Sequence, residues 1–172
     1  MKKIIIIGTL HAGLTPNLEL KQVLEKYKPN QLLVEIAQED IDAGNISSYP
    51  PEMIFAYRWA ISKSIKVHGF DYKMNIFLEE KNQTDNRVVI MDQKRVMGKL
   101  TWKDMNKEDN LKTLNVSSED GLIDQTKEKE REMKMFENIR SLNLNGTVVV
   151  LTGCKHLKLF EENLNEAIFP FR

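Results

Sequence analysis

Four consecutive isoleucines, Ile4 to Ile7, closed by Gly8, constrain the fold of this chain more than any other stretch. An unbroken run of β-branched residues suits a strand covered on both faces, the situation of a strand inside a parallel sheet. A parallel neighbour requires a crossover, and the next residues supply one. Thr15-Pro16 offers an N-cap with proline at the first helical position. Leu18, Leu20, Val23, Leu24 and Tyr27 then keep near-helical spacing until Pro29-Asn30, and Leu32 to Ile36 is a second short apolar run. Strand, helix and strand in this order predict a βαβ unit with a right-handed crossover.

The same alternation continues. Pro50-Pro51 opens a helix carrying Met53, Ile54, Tyr57, Ala60 and Ile61, and Ile65 to Phe70 reads as a third strand. Lys127 to Leu142 reads as a helix, Thr147 to Thr152 as a valine-rich strand, and Lys155 to about Ala167 as a last helix, with Pro170 ending order soon after. The expectation is a single α/β domain over residues 1–172. Its mainly parallel sheet would use strands 3–8, 31–36, 66–70 and 147–152, with helices on both faces. Residues 74–126 fit the alternation poorly and read as a helical or irregular insertion, a lid or an oligomer contact. Within it, Arg87 to Met91 could form a strand, Thr101-x-x-Asp104 is a helix-start signal, and Ser117 to Gly121 is a solvated turn. The charge run Lys127 to Arg131 reads as a solvated helix face.

Composition narrows the function classes. Hydrophobic residues at 41% and charged residues at 29% describe a globular chain rather than a disordered one. Equal numbers of acidic and basic residues, 25 each, argue against a dedicated nucleic-acid binder, whose footprint is basic. The single cysteine, Cys154, excludes an intrachain disulfide and a multi-cysteine zinc site. No apolar run reaches the ~18–20 residues of a membrane span. The stretch after Met1-Lys2-Lys3 is too short for a signal peptide and lacks a cleavage site, so a cytoplasmic setting is expected. Four Asn-x-Ser/Thr matches, at Asn45, Asn82, Asn115 and Asn145, then reflect composition alone.

Parallel sheets place their ligand sites outside the carboxyl ends of the strands. Here those ends are Gly8-Thr9-Leu10-His11, Glu35, Gly69-Phe70-Asp71 and Gly153-Cys154-Lys155-His156. Chance would supply roughly 0.14 Gly-x-x-His matches in a chain with 3 histidines and 8 glycines, against two observed. A glycine at a strand end permits close backbone approach, so the histidine three places on can face the crevice. The bland reading of either histidine alone is a helix cap or turn; the pair points to a site. Glu35 interrupts the apolar run Leu-Leu-Val-Glu-Ile and must reach the crevice or meet a cation. Asp71 is also a common strand-ending turn former, and His68 reads as a packed histidine. Arg131, Met135, Asn138 and Leu142 share a helical face, which lets Arg131 orient Glu35 or Asp71 or hold an anionic substrate group, with a surface ion pair equally open. Cys154 reads as a buried thiol rather than a nucleophile. No dinucleotide, Walker, serine-elbow or His-Glu-x-x-His signature is present.

Taken in order, these residues resemble the TraB/PrgY, Tiki, ChaN and erythromycin esterase superfamily. The likeness rests on Gly8-Thr9-Leu10-His11, Glu35, Gly69-Phe70-Asp71, Arg131-Glu132-x-x-Met135-x-x-Asn138-Ile139 and Gly153-x-x-His156, which span residues 4–160. It implies an α/β fold whose two Gly-x-x-His motifs and glutamate form one site. Relatives include hydrolases of different substrates, some dependent on a divalent metal, and a haem-binding lipoprotein. This chain departs from the pattern in Cys154-Lys155 and Phe136, where small residues are usual, and lacks the membrane segment of TraB and Tiki proteins.

Together the two lines of reasoning lead to a hydrolase of ester or amide bonds, acting on a small molecule or peptide rather than on nucleic acid or a membrane. Candidate catalytic residues are His11, Glu35, His156 and Arg131. In a metal-assisted version, His11, Glu35, Asp71 and His156 are the candidate ligands of Mn, Co or Zn. In a metal-free version a histidine takes the proton of water while Glu35 fixes its tautomer and Arg131 stabilises the oxyanion. The alternative is a non-catalytic protein that binds haem, metal or a small ligand in the same crevice. The sequence carries no signal for oligomeric state.

Overall fold

A computed structural model describes residues 2–11, 13–76, 91, 94–95, 97–114 and 123–172. Among them, four strands form one all-parallel sheet: β1 (Lys3–Thr9), β2 (Gln31–Ala37), β3 (Lys66–Asp71) and β4 (Thr147–Gly153), in the order β1-β4-β2-β3. The fold is the expected α/β domain. β1 pairs with β4 from Lys3↔Thr147 to Thr9↔Gly153, and β4 with β2 from Gln31↔Val148 to Val34↔Leu151. The β2–β3 ladder shifts register between Val34 and Ala37. The ladder to β4 thus stops one residue before Glu35.

Helices α1 (Asn17–Tyr27) and α3 (Pro51–Ser62) pack on each other, α1 also against β4 and α3 against β2 and β3. Helix α5 (Gln125–Ser141) lies on β3, and α6 (Leu157–Asn163) on β1. The chain moves across the sheet in one direction from β1 to β3 and returns to β4. Right-handed crossovers therefore put α1 and α3 on one face and α5 and α6 on the other. Beside β4 the connections leave to opposite faces, which opens a crevice at its carboxyl end.

The isoleucines of β1 are buried although the strand lies at an edge, because two devices cover it. Ile168 pairs with its lower half, accepting from Ile6 N and donating to Ile4 O, at 2.9 Å each. Higher up, the buried Asn106 side chain accepts from Gly8 N at 2.8 Å and donates to Gly8 O at 2.9 Å, in place of a neighbouring strand. A side chain on Gly8 would collide with Asn106 and with the backbone of Cys154.

Several local expectations are corrected. Thr15 does not cap α1; its hydroxyl accepts from Leu10 N at 2.8 Å and donates to Leu10 O at 2.9 Å, closing the loop that carries His11. A short helix, α2 (Gln38–Ala43), follows β2 where the sequence was too polar to show one. The last helix ends at Asn163 rather than near 167, and order continues past Pro170 because the tail packs on β1 and Arg172 forks onto Glu161. Thr101 and Asp104 do form a reciprocal cap, and α4 (Glu108–Leu114) follows. Within the expected insertion, this part is core rather than lid: Trp102 and Met105 are buried, and Asn106 serves β1. Residues 87–90 of the proposed extra strand and the turn at 117–121 lie outside the described residues.

Candidate functional site

Glu35 is the centre of the crevice. Where the β2–β4 ladder has stopped, its Oε2 accepts from Gly153 N at 2.6 Å and from the Thr152 hydroxyl at 2.8 Å. Its Oε1 accepts from Arg131 Nη2 at 3.0 Å and faces His156 Nε2 at 3.5 Å. The carboxylate thus joins β2, β4, α5 and the turn after β4, and is only 5% exposed. Burial opposes its charge, but His156, His11 and Arg131 outweigh that and hold its pKa well below the ordinary range.

The two histidines approach this carboxylate in parallel ways. His11 donates from Nδ1 to Glu52 Oε1 at 2.6 Å, and His156 from Nδ1 to Glu132 Oε1 at 2.7 Å. Each imidazole therefore has one nitrogen tied to its own glutamate. His156 Nε2 points at Glu35. His11 Nε2 lies 3.0 Å from the point where a Cβ on Gly153 would stand, and Glu35 Oε2 lies 3.6 Å from the same point. The glycine of the second Gly-x-x-His motif is thus explained by the histidine of the first, whose ring occupies the space of the missing side chain. His11 is the member open to solvent, with its side chain 42% exposed against 7% for His156.

The charges are unevenly distributed. Burial disfavours the charged form of His156, but Glu35 and Glu132 overcome it and raise its pKa to about 10, so it is a cation at neutral pH. His11 is raised as well: burial opposes its charge, while the Glu52 hydrogen bond and the field of Glu35 support it. Arg131 bridges Glu35 and Asp71, reaching Asp71 Oδ1 at 2.8 Å from Nη2, with Glu128 at 3.4 Å. Asp71 is nevertheless raised, by burial and by the nearby charge of Glu35, because one guanidinium serves both carboxylates.

All five expected site residues, His11, Glu35, Asp71, Arg131 and His156, meet at the carboxyl edge of the sheet. Asp71 meets the others through Arg131 rather than beside the histidines. The expectation that Lys127 to Arg131 forms a solvated face is corrected, since Glu128 and Arg131 turn inward to the crevice. Cys154 is buried and free, and burial pushes its thiol up to about 12, away from nucleophilic use. His68 lies in β3 with a buried Nε2 that has no partner among the described residues, and burial lowers its pKa.

Glu52, Glu128 and Glu132 are the residues sequence reasoning did not assign. Glu128, Arg131, Glu132 and Met135 follow i, i+3, i+4, i+7, so their shared face was readable once Arg131 had been placed. Glu52 carries no such signal. Glu128, Glu132 and His156 each offer a donor atom, and these atoms lie within 4.8 Å of one another. One imidazole and two carboxylates are a donor set that a divalent cation can take.

Comparison with known proteins finds no matching family model, curated sequence or solved structure. No described helix is long and apolar enough to cross a membrane.

Proposed function

We propose that the chain is a hydrolase of ester or amide bonds in a small molecule or peptide, with its reacting centre between His11, Glu35 and His156. The observation that carries this reading is that each imidazole is tied at Nδ1 to its own glutamate, while Glu35 faces His156 and shares with His11 the space beside Gly153. An imidazole so held has one nitrogen committed and the other ready for proton transfer. His11, the exposed member, takes the proton of water, and Glu52 fixes its tautomer and supports the imidazolium that forms. His156, held as a cation, stabilises the oxyanion and returns a proton to the leaving group. Arg131 is a positioning residue: its donors are committed to Glu35, Asp71 and Glu128, so it orients Glu35 rather than binding the oxyanion.

A divalent metal (Mn, Co or Zn) would be held by Glu128, Glu132 and a neutral His156, displacing the proton that His156 carries in the metal-free version, and when bound lowers the pKa of a water toward neutrality. The ordered motifs resembling the TraB, Tiki, ChaN and erythromycin esterase superfamily support the same reading, and a cytoplasmic setting belongs with it. Glu52→Gln and Glu132→Gln test the proposal on an ester and peptide panel, with and without each metal. Each variant should lose about a hundredfold in kcat while remaining folded, as expected when the group orienting a working imidazole is removed. Wild-type protein that binds a panel compound, haem or metal without turnover would instead make the crevice a binding site.

A further inference from the structure

A second concavity lies outside this cluster, in the groove between α1 and α3. Its volume is about 630 Å³. Pro51, Ile54, Phe55 and Trp59 supply an apolar wall from α3, and Lys21 from α1 and Arg58 from α3 bring positive charge to it. Arg58 is exposed and has no carboxylate partner among the described residues, whereas Lys21 pairs with Glu25 at 3.1 Å. Trp59 is 9% exposed, and its indole N–H is buried without an acceptor among the described residues. Pro51 and Arg58 are seven residues apart, so the wall runs about 10 Å along the helix. Apolar surface and positive charge thus share one groove.

We propose that this groove binds a small organic anion with a planar apolar body and a carboxylate, sulfonate or phosphate head, the apolar part against Ile54, Phe55 and Trp59 and the head at Arg58 and Lys21. The site is distinct from the histidine cluster, and its occupancy does not depend on turnover there. The two come close at one point, because Glu52, which holds His11, follows Pro51 directly.

Fluorescence titration of the full chain with 1-anilinonaphthalene-8-sulfonate tests the proposal, with N-phenyl-1-naphthylamine as the uncharged control. Wild-type protein should bind the sulfonate saturably, one per chain. Arg58→Glu should weaken it about tenfold or more, consistent with loss of a charge-assisted contact, and leave the neutral probe within about twofold. Lys21→Glu, on the other wall, should act in the same sense. Arg58 is exposed, so the Arg58→Glu melt should match the wild type, while Lys21 is half-buried and loses its pairing with Glu25, so Lys21→Glu should melt slightly lower yet remain folded. No saturable binding, equal affinity for the charged and neutral probes, or sulfonate binding indifferent to both charge reversals overturns the proposal. Loss of sulfonate binding in His11→Ala with both cations intact overturns it equally, since the probe would then occupy the histidine crevice.

Discussion

Glu35 shows how a single buried carboxylate can be both structural and chemical. Its four polar neighbours come from β4, α5 and the turn after β4, so its charge is compensated before any ligand arrives. The same economy of space governs Gly153. Its backbone has φ −58°, which any residue tolerates, so the glycine is required by contact rather than conformation. Gly153→Ala would place a methyl 3.0 Å from His11 Nε2, forcing the ring aside by a few tenths of an ångström. The expected result is an approximately tenfold loss of hydrolysis with unfolding free energy changed by less than about 1 kcal/mol, read from steady-state kinetics and urea denaturation. A variant with full activity would show that His11 needs no such placement. At this scale, Glu35 was legible because a charge in an apolar strand has few places to go. Glu52 was not, because its importance comes from His11 arriving over it from a distant loop, and no spacing along the chain encodes that meeting.

At the scale of elements, α5 matters most to the site, carrying Glu128, Arg131 and Glu132 on one turn and Met135 into the core below them. Its start is set by Asp124, whose side chain accepts from Thr126 N at 3.0 Å and Lys127 N at 3.2 Å. Asp124→Ala should cost about 1 kcal/mol in denaturant unfolding, while Asp124→Asn should retain most of the cap. Equal stability of the alanine variant would show that packing on β3 alone holds this end. The strands were readable because β-branched runs punctuated by glycine and proline leave little else for β1, β2 and β4 to become. The short α2 and the early end of α6 were less so. Their boundaries depend on tertiary partners: Tyr49, which donates to Asp40 at 2.6 Å, and Ile168 pairing on β1. Residues 101–114 read as an insertion because their apolar content is sparse, yet Trp102 and Met105 suffice to anchor them in the core.

For the whole molecule, the buried charge cluster links folding to pH. His156 has a folded pKa of about 10, above its unfolded value. Its contribution is therefore complete below about pH 6.5 and lost as pH rises toward 10. Glu35 is shifted the other way, so its contribution is present above about pH 4.3 and lost as pH falls through its depressed folded value. Chelator-treated protein should accordingly be most stable between about pH 4.5 and 6.5, with unfolding free energy declining on the alkaline side. His156→Gln should flatten that alkaline decline and leave the acid limb in place, as measured by urea unfolding across the range. An unchanged alkaline limb in the variant would mean that His156 is not held as a cation. The central claim is that the two histidines and Glu35 form one hydrolytic site. Its most direct test is turnover of an ester and peptide panel by wild type, His11→Ala and His156→Ala, each with and without Mn, Co or Zn. The expected result is hydrolysis by the wild type that falls to background in both variants; hydrolysis that survives in either variant, or is absent from the wild type under every condition, contradicts the claim.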